Sequence, residues 1–360
     1  MKKYLLAAEQ IEAMIEERGG HGKLPTENAL CAMLGISRVT LRRAMAILED
    51  AGEIRRVQGS GAYLTGIVKG EEHPRAAFLF PSLTAVKGQE RVRIFRHTFS
   101  PHGYEAVFSS HENEPEKERE ILMGLLSSPP QFLFAFPAEP GKTSCAPEYR
   151  ALLKAGCPVV FLGTACRNLP SLPGLVPDLS DGTYQLCGKL WQEEHRRILL
   201  VLEDGPFRED ILYGFRSFQR EQGLSLSSES CLLLPRGALL TPGEQAQILK
   251  DRLLPALSSA SAFLFSDSRT ALAAAAILAA QGIRIPGDLS LACVGEQTRR
   301  LAAGFDLARI FVPDTALADA CLSLFAAKMA GQEGFLPALP WTYHEGNTLT
   351  VPPVRSVPAV

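Results

Sequence analysis

Beyond residue 75 the chain is built on seven short apolar runs, each too continuous to alternate: Ala76–Phe80, Phe132–Phe136, Pro158–Leu162, Ile198–Leu202, Cys231–Leu234, Ala262–Phe265 and Leu289–Val294. Between them lie segments with helical spacing, near 88–102, 115–127, 147–155, 182–194, 209–222, 243–257 and 268–281. A strand that faces water on one side alternates apolar and polar residues, whereas one covered on both faces does not. The order of runs and helices therefore predicts an α/β architecture of parallel sheets with helices on both faces. Residues 76–360 are more than one doubly wound sheet needs, so two such lobes are expected.

Composition narrows what remains. With 360 residues, 46% apolar and 21% charged, the chain can bury more than one core. Its longest apolar run, Ala271–Ala280, is half of the roughly 20 residues that cross a bilayer, so no membrane association is expected. Met1-Lys2-Lys3-Tyr4 runs into Ala7, Ala8, Glu9 and Glu12 rather than an apolar block, which argues against a signal peptide and for a cytoplasmic location. A net charge of −2 excludes a wholly basic nucleic-acid coat and leaves room for a basic patch. The eight cysteines show no C-x-x-C and no Cys/His cluster, and read as reduced thiols. No metal and no cofactor are expected. His97, His102, His111 and His195 form no nucleophile–base pattern, and there is no Gly-x-Ser-x-Gly or P-loop. No catalytic residue and no enzyme activity are expected.

The first 66 residues have a different texture, and 67–75 read as a polar linker. Ala7, Ala8, Ile11, Met14 and Ile15 give a first helix its apolar stripe. Leu24-Pro25-Thr26 breaks the chain and offers Thr26 as the N-cap of a helix from Glu27 to Leu34, which Gly35 can end in the left-handed conformation. Ser37 follows after one residue as the next N-cap. So short a turn forces the helices to cross steeply, as in a helix-turn-helix. At 100° per residue, Leu41, Ala44, Leu48 and Ala51 face the core, while Arg38, Arg42, Arg43 and Ala46 face out. Guanidinium groups near a helix start suit phosphate and base-edge contacts. Glu53 to Leu64 reads as a strand, a Gly-x-Gly turn and a strand, flanked by Arg55 and Arg56.

In order and spacing, Leu24-Pro25-Thr26-Glu27, Leu34 to Ala44, Leu48 to Gly52 and Gln58 to Tyr63 resemble the winged helix-turn-helix head of GntR-type transcription regulators. The resemblance covers nearly all of residues 5–65. It implies DNA contacts at Ser37, Arg38, Thr40, Arg42 and the wing glycines Gly59 and Gly61. Thr26, Asn28, Arg43 and Gln58 complete the candidate set. Asn28 stands where the family often has an arginine.

From Ala76 onward the chain resembles the periplasmic-binding-protein-like effector domain of the lactose/galactose-repressor family. The resemblance rests on Ala76 to Ser82, Gly156 to Leu162, Val176-Pro177-Asp178, Glu194-His195-Arg196-Arg197-Ile198, Tyr213-Gly214-Phe215 as a helix start, Phe265-Ser266-Asp267, and Gly282 to Gly295. It implies lobe one at about 76–177 and 297–331, lobe two at about 178–296 and 332–360, and a ligand cleft at the strand ends. Asp267, Ser82, Arg208 and Glu296 are the candidate effector contacts. Asp267 serves equally well as the N-cap of the following helix, and both readings stand at this point. The family's arginine three residues before the Gly-aromatic pair is Ile211 here, and its hinge glutamine is Val312, which thins the polar groups available to a sugar.

Together these features imply a cytoplasmic transcription regulator, with repression the expected sign. It would bind a palindromic double-stranded DNA operator as a homodimer, under control of a small molecule of the sugar or sugar-derivative class. The alternative is a regulator whose second domain only dimerises or binds a protein partner. An enzyme carrying a DNA-binding head is the third and least supported reading.

Overall fold

The computed structural model describes residues 3–17, 24–50, 54–57, 61–64, 74–224, 227–235, 241–295 and 304–352. The chain divides into two compact units, residues 1–175 with 318–337 and residues 176–317 with 338–360.

The amino-terminal head consists of α1 (Lys3–Glu17), α2 (Glu27–Leu34), α3 (Arg38–Asp50) and a hairpin of β1 (Ile54–Val57) and β2 (Gly61–Leu64). Its core is Ala7, Ala8 and Ile11 of α1, Leu30 of α2, Leu41, Ala44, Met45 and Leu48 of α3, and Ile54 of β1. The α3 face predicted from helical spacing is thus buried, apart from Ala51, which lies outside the described residues. The hairpin is antiparallel with Val57 opposite Gly61. The Leu24 N–H donates to the Ala62 carbonyl (2.9 Å), which ties the hairpin to the chain entering α2.

The rest of the first unit is a parallel sheet of β3 (Arg75–Phe80), β4 (Glu105–Ser110), β5 (Phe132–Ala135), β6 (Val159–Leu162) and β7 (Gly174–Leu175), in the order β4-β3-β5-β6-β7. Helices α4 (Val86–Phe99), α5 (Pro115–Ser127) and α6 (Ala146–Lys154) connect it. Its two faces explain the unbroken apolar runs. On one, Phe78 packs edge-on against Phe95 and Phe99 of α4 and stacks on Phe134, with ring centroids 5.0–5.2 Å apart. On the other, Ala77, Leu79 and Leu133 meet Leu122 of α5 and Tyr149 and Leu152 of α6. The alternation is aromatic against small aliphatic, because both faces are dry.

The second unit carries α7 (Leu179–Gln192), β8 (Ile198–Glu203), α8 (Arg208–Glu221), β9 (Cys231–Leu234), α9 (Pro242–Ala256), β10 (Ala262–Phe265), α10 (Ser268–Ala280), β11 (Ser290–Val294), β12 (Ala308–Phe311) and β13 (Thr342–His344); α11 (Asp314–Met329) begins there. The strand order is β13-β12-β11-β10-β8-β9, parallel except for β13. Leu199, Val201, Phe263, Phe265 and Leu291 face α9 and α10, while Leu200, Leu202, Leu264 and Val294 face α7 and α8. Gly214 is where α8 crosses the start of α7: an added Cβ would overlap the Ser180 backbone.

Three expectations need correction. β12 pairs in parallel with β11, so residues 304–317 join the second unit and 318–337 the first, in place of the 297–331 and 332–360 division. Tyr213-Gly214-Phe215 lies inside α8, whose first residue is Arg208. Strands β4, β7, β12 and β13 and helix α11 were not anticipated; β4 is a half-exposed edge with Glu105, Ser109 and Ser110, and so lacks an apolar run. The cysteines are all free thiols, six of them buried, and burial pushes Cys157 up to about 12.

Candidate DNA-binding surface and effector site

Local capping builds the head's outer surface. Thr26 Oγ1 accepts from the Ala29 N–H (3.3 Å), starting α2. Gly35 closes that helix at φ 62°, a conformation costly to any residue with a Cβ. Ser37 Oγ accepts from the Thr40 N–H (3.2 Å) and lies 2.9 Å from Thr40 Oγ1, starting α3. The exposed side of α3 then presents Arg38, Arg42 and Arg43. Arg38 Nη2 donates to Asn28 Oδ1 (2.7 Å), and Arg42 Nε donates to Glu27 Oε2 (3.4 Å). The first turns of α2 and α3 therefore meet, and the side chains of one aim the guanidinium groups of the other. The Arg42–Glu27 pair is exposed, at 66% and 40%, so it contributes at most about 1 kcal/mol. Guanidinium groups at a helix start, where N–H dipoles also favour anions, can hold phosphates and read guanine edges.

In the second unit the candidate effector groups lie at the carboxyl edge of the sheet. Asp267 follows β10, and its Oδ1 accepts from the backbone N–H groups of Arg269 (2.9 Å) and Thr270 (3.0 Å). Its Oδ2 is buried without a hydrogen-bond partner among the described residues. The two readings of Asp267 thus coexist: one oxygen caps α10, and the other has no hydrogen-bond partner among the described residues. Beside it, Glu203 at the end of β8 accepts from the Thr270 hydroxyl, and the Glu203 N–H donates to Ser266 Oγ (2.9 Å). Arg208, at the start of α8, pairs with Asp204 (3.0 Å). This edge offers carboxylate acceptors with a guanidinium nearby, a donor set that suits hydroxyl groups. Ile211 is buried in the core of α8.

Residues 3–64 match the bacterial regulatory proteins of the gntR family. The head is a GntR-type DNA-binding domain. Residues 187–336 match the periplasmic binding protein-like domain, and that part of the chain is periplasmic-binding-protein-like. Over 308 residues, 81% of each chain, the protein is 24% identical to the arabinose metabolism transcriptional repressor of Geobacillus stearothermophilus. Among solved structures it is similar to the transcription regulator CcpA of Lactococcus lactis, with TM-score 0.62, 16% identity, and coverage of 77% of this chain and 99% of that one. A sugar-binding transcriptional regulator of the LacI family from Escherichia coli gives TM-score 0.58, 15% identity, and coverage of 78% and 100%. These likenesses show the fold of residues beyond the GntR-type head.

In the GntR-type head, Thr26, Asn28, Ser37, Arg38, Thr40 and Arg42 gather at the starts of α2 and α3, and Arg43 is exposed on α3. Gly61 opens β2, while Gln58 and Gly59 lie outside the described residues. Of the effector set, Asp267 and Arg208 lie in the second unit and Ser82 in the first, with Ser82 Oγ 3.2 Å from Thr84 Oγ1. Glu296 lies outside the described residues. Sequence reasoning missed Glu27 and Glu203. The available signals were a glutamate at the first position of α2 and a charged residue closing an apolar run, where parallel strands present ligand groups.

Proposed function

We propose that this chain is a cytoplasmic transcription repressor that binds operator DNA through its GntR-type head and is controlled by a sugar or sugar derivative. The observation that carries the reading is the combination, in one chain, of that head with a parallel-sheet domain in which one buried oxygen of Asp267 has no hydrogen-bond partner among the described residues. The similarity to a repressor of arabinose metabolism supports the sign of regulation and the ligand class. Asp267 and Arg208, with Ser82 and Glu296, are the proposed effector contacts, and Ser37, Arg38, Thr40 and Arg42 the proposed DNA contacts. A homodimer would place two heads on the half-sites of a palindromic operator, about one helical turn or more apart.

The test is fluorescence anisotropy of the full chain on an operator selected from random DNA, with arabinose, other pentoses, hexoses and sugar acids added in turn. One sugar is expected to weaken or strengthen operator binding by about 5–150-fold, the usual range of allosteric coupling. Asp267→Asn is expected to bind DNA normally and lose the response. An operator complex indifferent to every sugar would favour a second domain that only dimerises or binds a protein partner.

A further inference from the structure

We propose a second small-molecule site in the second unit, on the amino-terminal edge of its sheet, shaped for a compact aromatic carboxylate. A cavity of about 260 Å³ opens beside Ile198 and Leu199, beneath Phe215, Phe218 and Gln219 of α8. Ile198 pairs with Ala262, the first residue of β10, whereas Asp267 lies past the last. The cavity and the candidate effector groups therefore sit at opposite edges of one sheet.

Size and lining define the occupant. Ligand pockets usually begin near 300 Å³, while an apolar cavity of about 150 Å³ already accepts benzene. The occupant is thus one ring with one or two substituents. Phe215 and Phe218, both nearly fully buried, supply aromatic walls for that ring. Gln219 is only 6% exposed, lines the cavity, and its side-chain amide makes no hydrogen bond among the described residues. The amide lines the cavity, so its N–H groups and its oxygen are available to an occupant.

Charge at the cavity favours an acid. Arg196 and Arg197 line it against the single carboxylate of Glu229. Arg196 is held in place, its guanidinium 4.0 Å over the Trp191 ring and Nη1 donating to the Trp191 carbonyl (2.7 Å). Arg197 Nη1 donates to the Ser258 carbonyl (3.1 Å). A guanidinium has five N–H donors, so each arginine anchored in this way keeps others for a carboxylate.

The test is isothermal titration of the full chain with benzoate, 4-hydroxybenzoate and benzyl alcohol. Saturable binding of one molecule per chain is expected for the two carboxylates, with benzyl alcohol weaker. Gln219→Leu, which preserves the apolar face of α8, is expected to weaken binding about tenfold or more. Gln219→Glu, similar in size but anionic, should weaken it as well, and supplies the answer where the leucine variant does not melt cooperatively. Asp267→Asn should leave the affinity unchanged. The absence of saturable binding, equal binding of benzyl alcohol and benzoate, or unaltered affinity in both Gln219 variants would overturn the site. Loss of binding in Asp267→Asn would place the probe at the opposite edge and overturn it too.

Discussion

Arg38 lies where the head's local rules converge: it is the first residue of α3, it follows the Ser37 cap, and its guanidinium is aimed by Asn28. Arg38→Ala is expected to weaken operator binding by about 1–3 kcal/mol if the side chain reads a base, measured by anisotropy at fixed salt. Asn28→Ala should lose less, since it frees Arg38 without removing it. A second residue, His195, is fully buried: its Nε2–H donates to the Thr350 carbonyl (2.9 Å), and its Nδ1 lies 2.9 Å from Ser261 Oγ, which can donate to it. Burial holds its pKa below the ordinary 6.5. The unfolded chain therefore takes up a proton at higher pH than the folded one. The second unit is expected to have its full stability above about pH 6.5 and to lose it progressively as the pH falls towards the folded-state value. Thermal melts from pH 8 downward should show that slope (the start is about 1.5 units above the ordinary value), and His195→Gln should flatten it. In the first unit, fully buried Glu118 accepts from the Tyr149 hydroxyl and from the Ala138 N–H (3.2 Å). Tyr149→Phe is expected to cost about 1–3 kcal/mol, because it strips a donor from a buried carboxyl group.

Among elements, the contact between α7 and α8 is set by glycine. Gly214 lets α8 approach the Ser180 carbonyl, and Gly182 of α7 lies under Trp341, whose ring would be 2.5 Å from an added Cβ. In Gly214→Ala the Cβ meets backbone, which cannot rotate away, so the helices must separate. A loss of about 1–3 kcal/mol is expected, read as a lower melting temperature of the second unit. Element positions themselves were legible wherever burial was two-sided. The apolar runs anticipated β3, β5, β6, β8, β9, β10 and β11, and the helical spacing anticipated α4 to α10. Strands without a continuous apolar run were not legible. β4 carries Glu105 and two serines, β12 has Arg309 in its middle, and β13 is only three residues long, so none of them forms a run that distinguishes it from a loop.

For the whole molecule, the proposed control couples the head to the sheet domain, and both ends are measurable. An effector at about a hundredfold its Kd adds about 2.7 kcal/mol to the state it binds, several degrees in melting temperature, and Asp267→Asn should abolish the shift. Operator affinity should also fall steeply with salt, each neutralised phosphate adding about −0.9 to the logarithmic slope, and Arg42→Ala should reduce that slope if Arg42 meets a phosphate. By itself the sequence determined what depends on neighbours along the chain: the caps at Thr26, Gly35 and Ser37, the outward arginines of α3, and the run-and-helix order of two parallel sheets. These rest on backbone geometry and periodicity, which act over a few residues. Only the tertiary structure decided that Asn28 reaches Arg38, that Glu203 lies beside Thr270, and that residues 304–317 join the second unit. Each of these is a contact between groups far apart in the chain or a choice of strand partner, and such choices follow from packing, which no local pattern encodes.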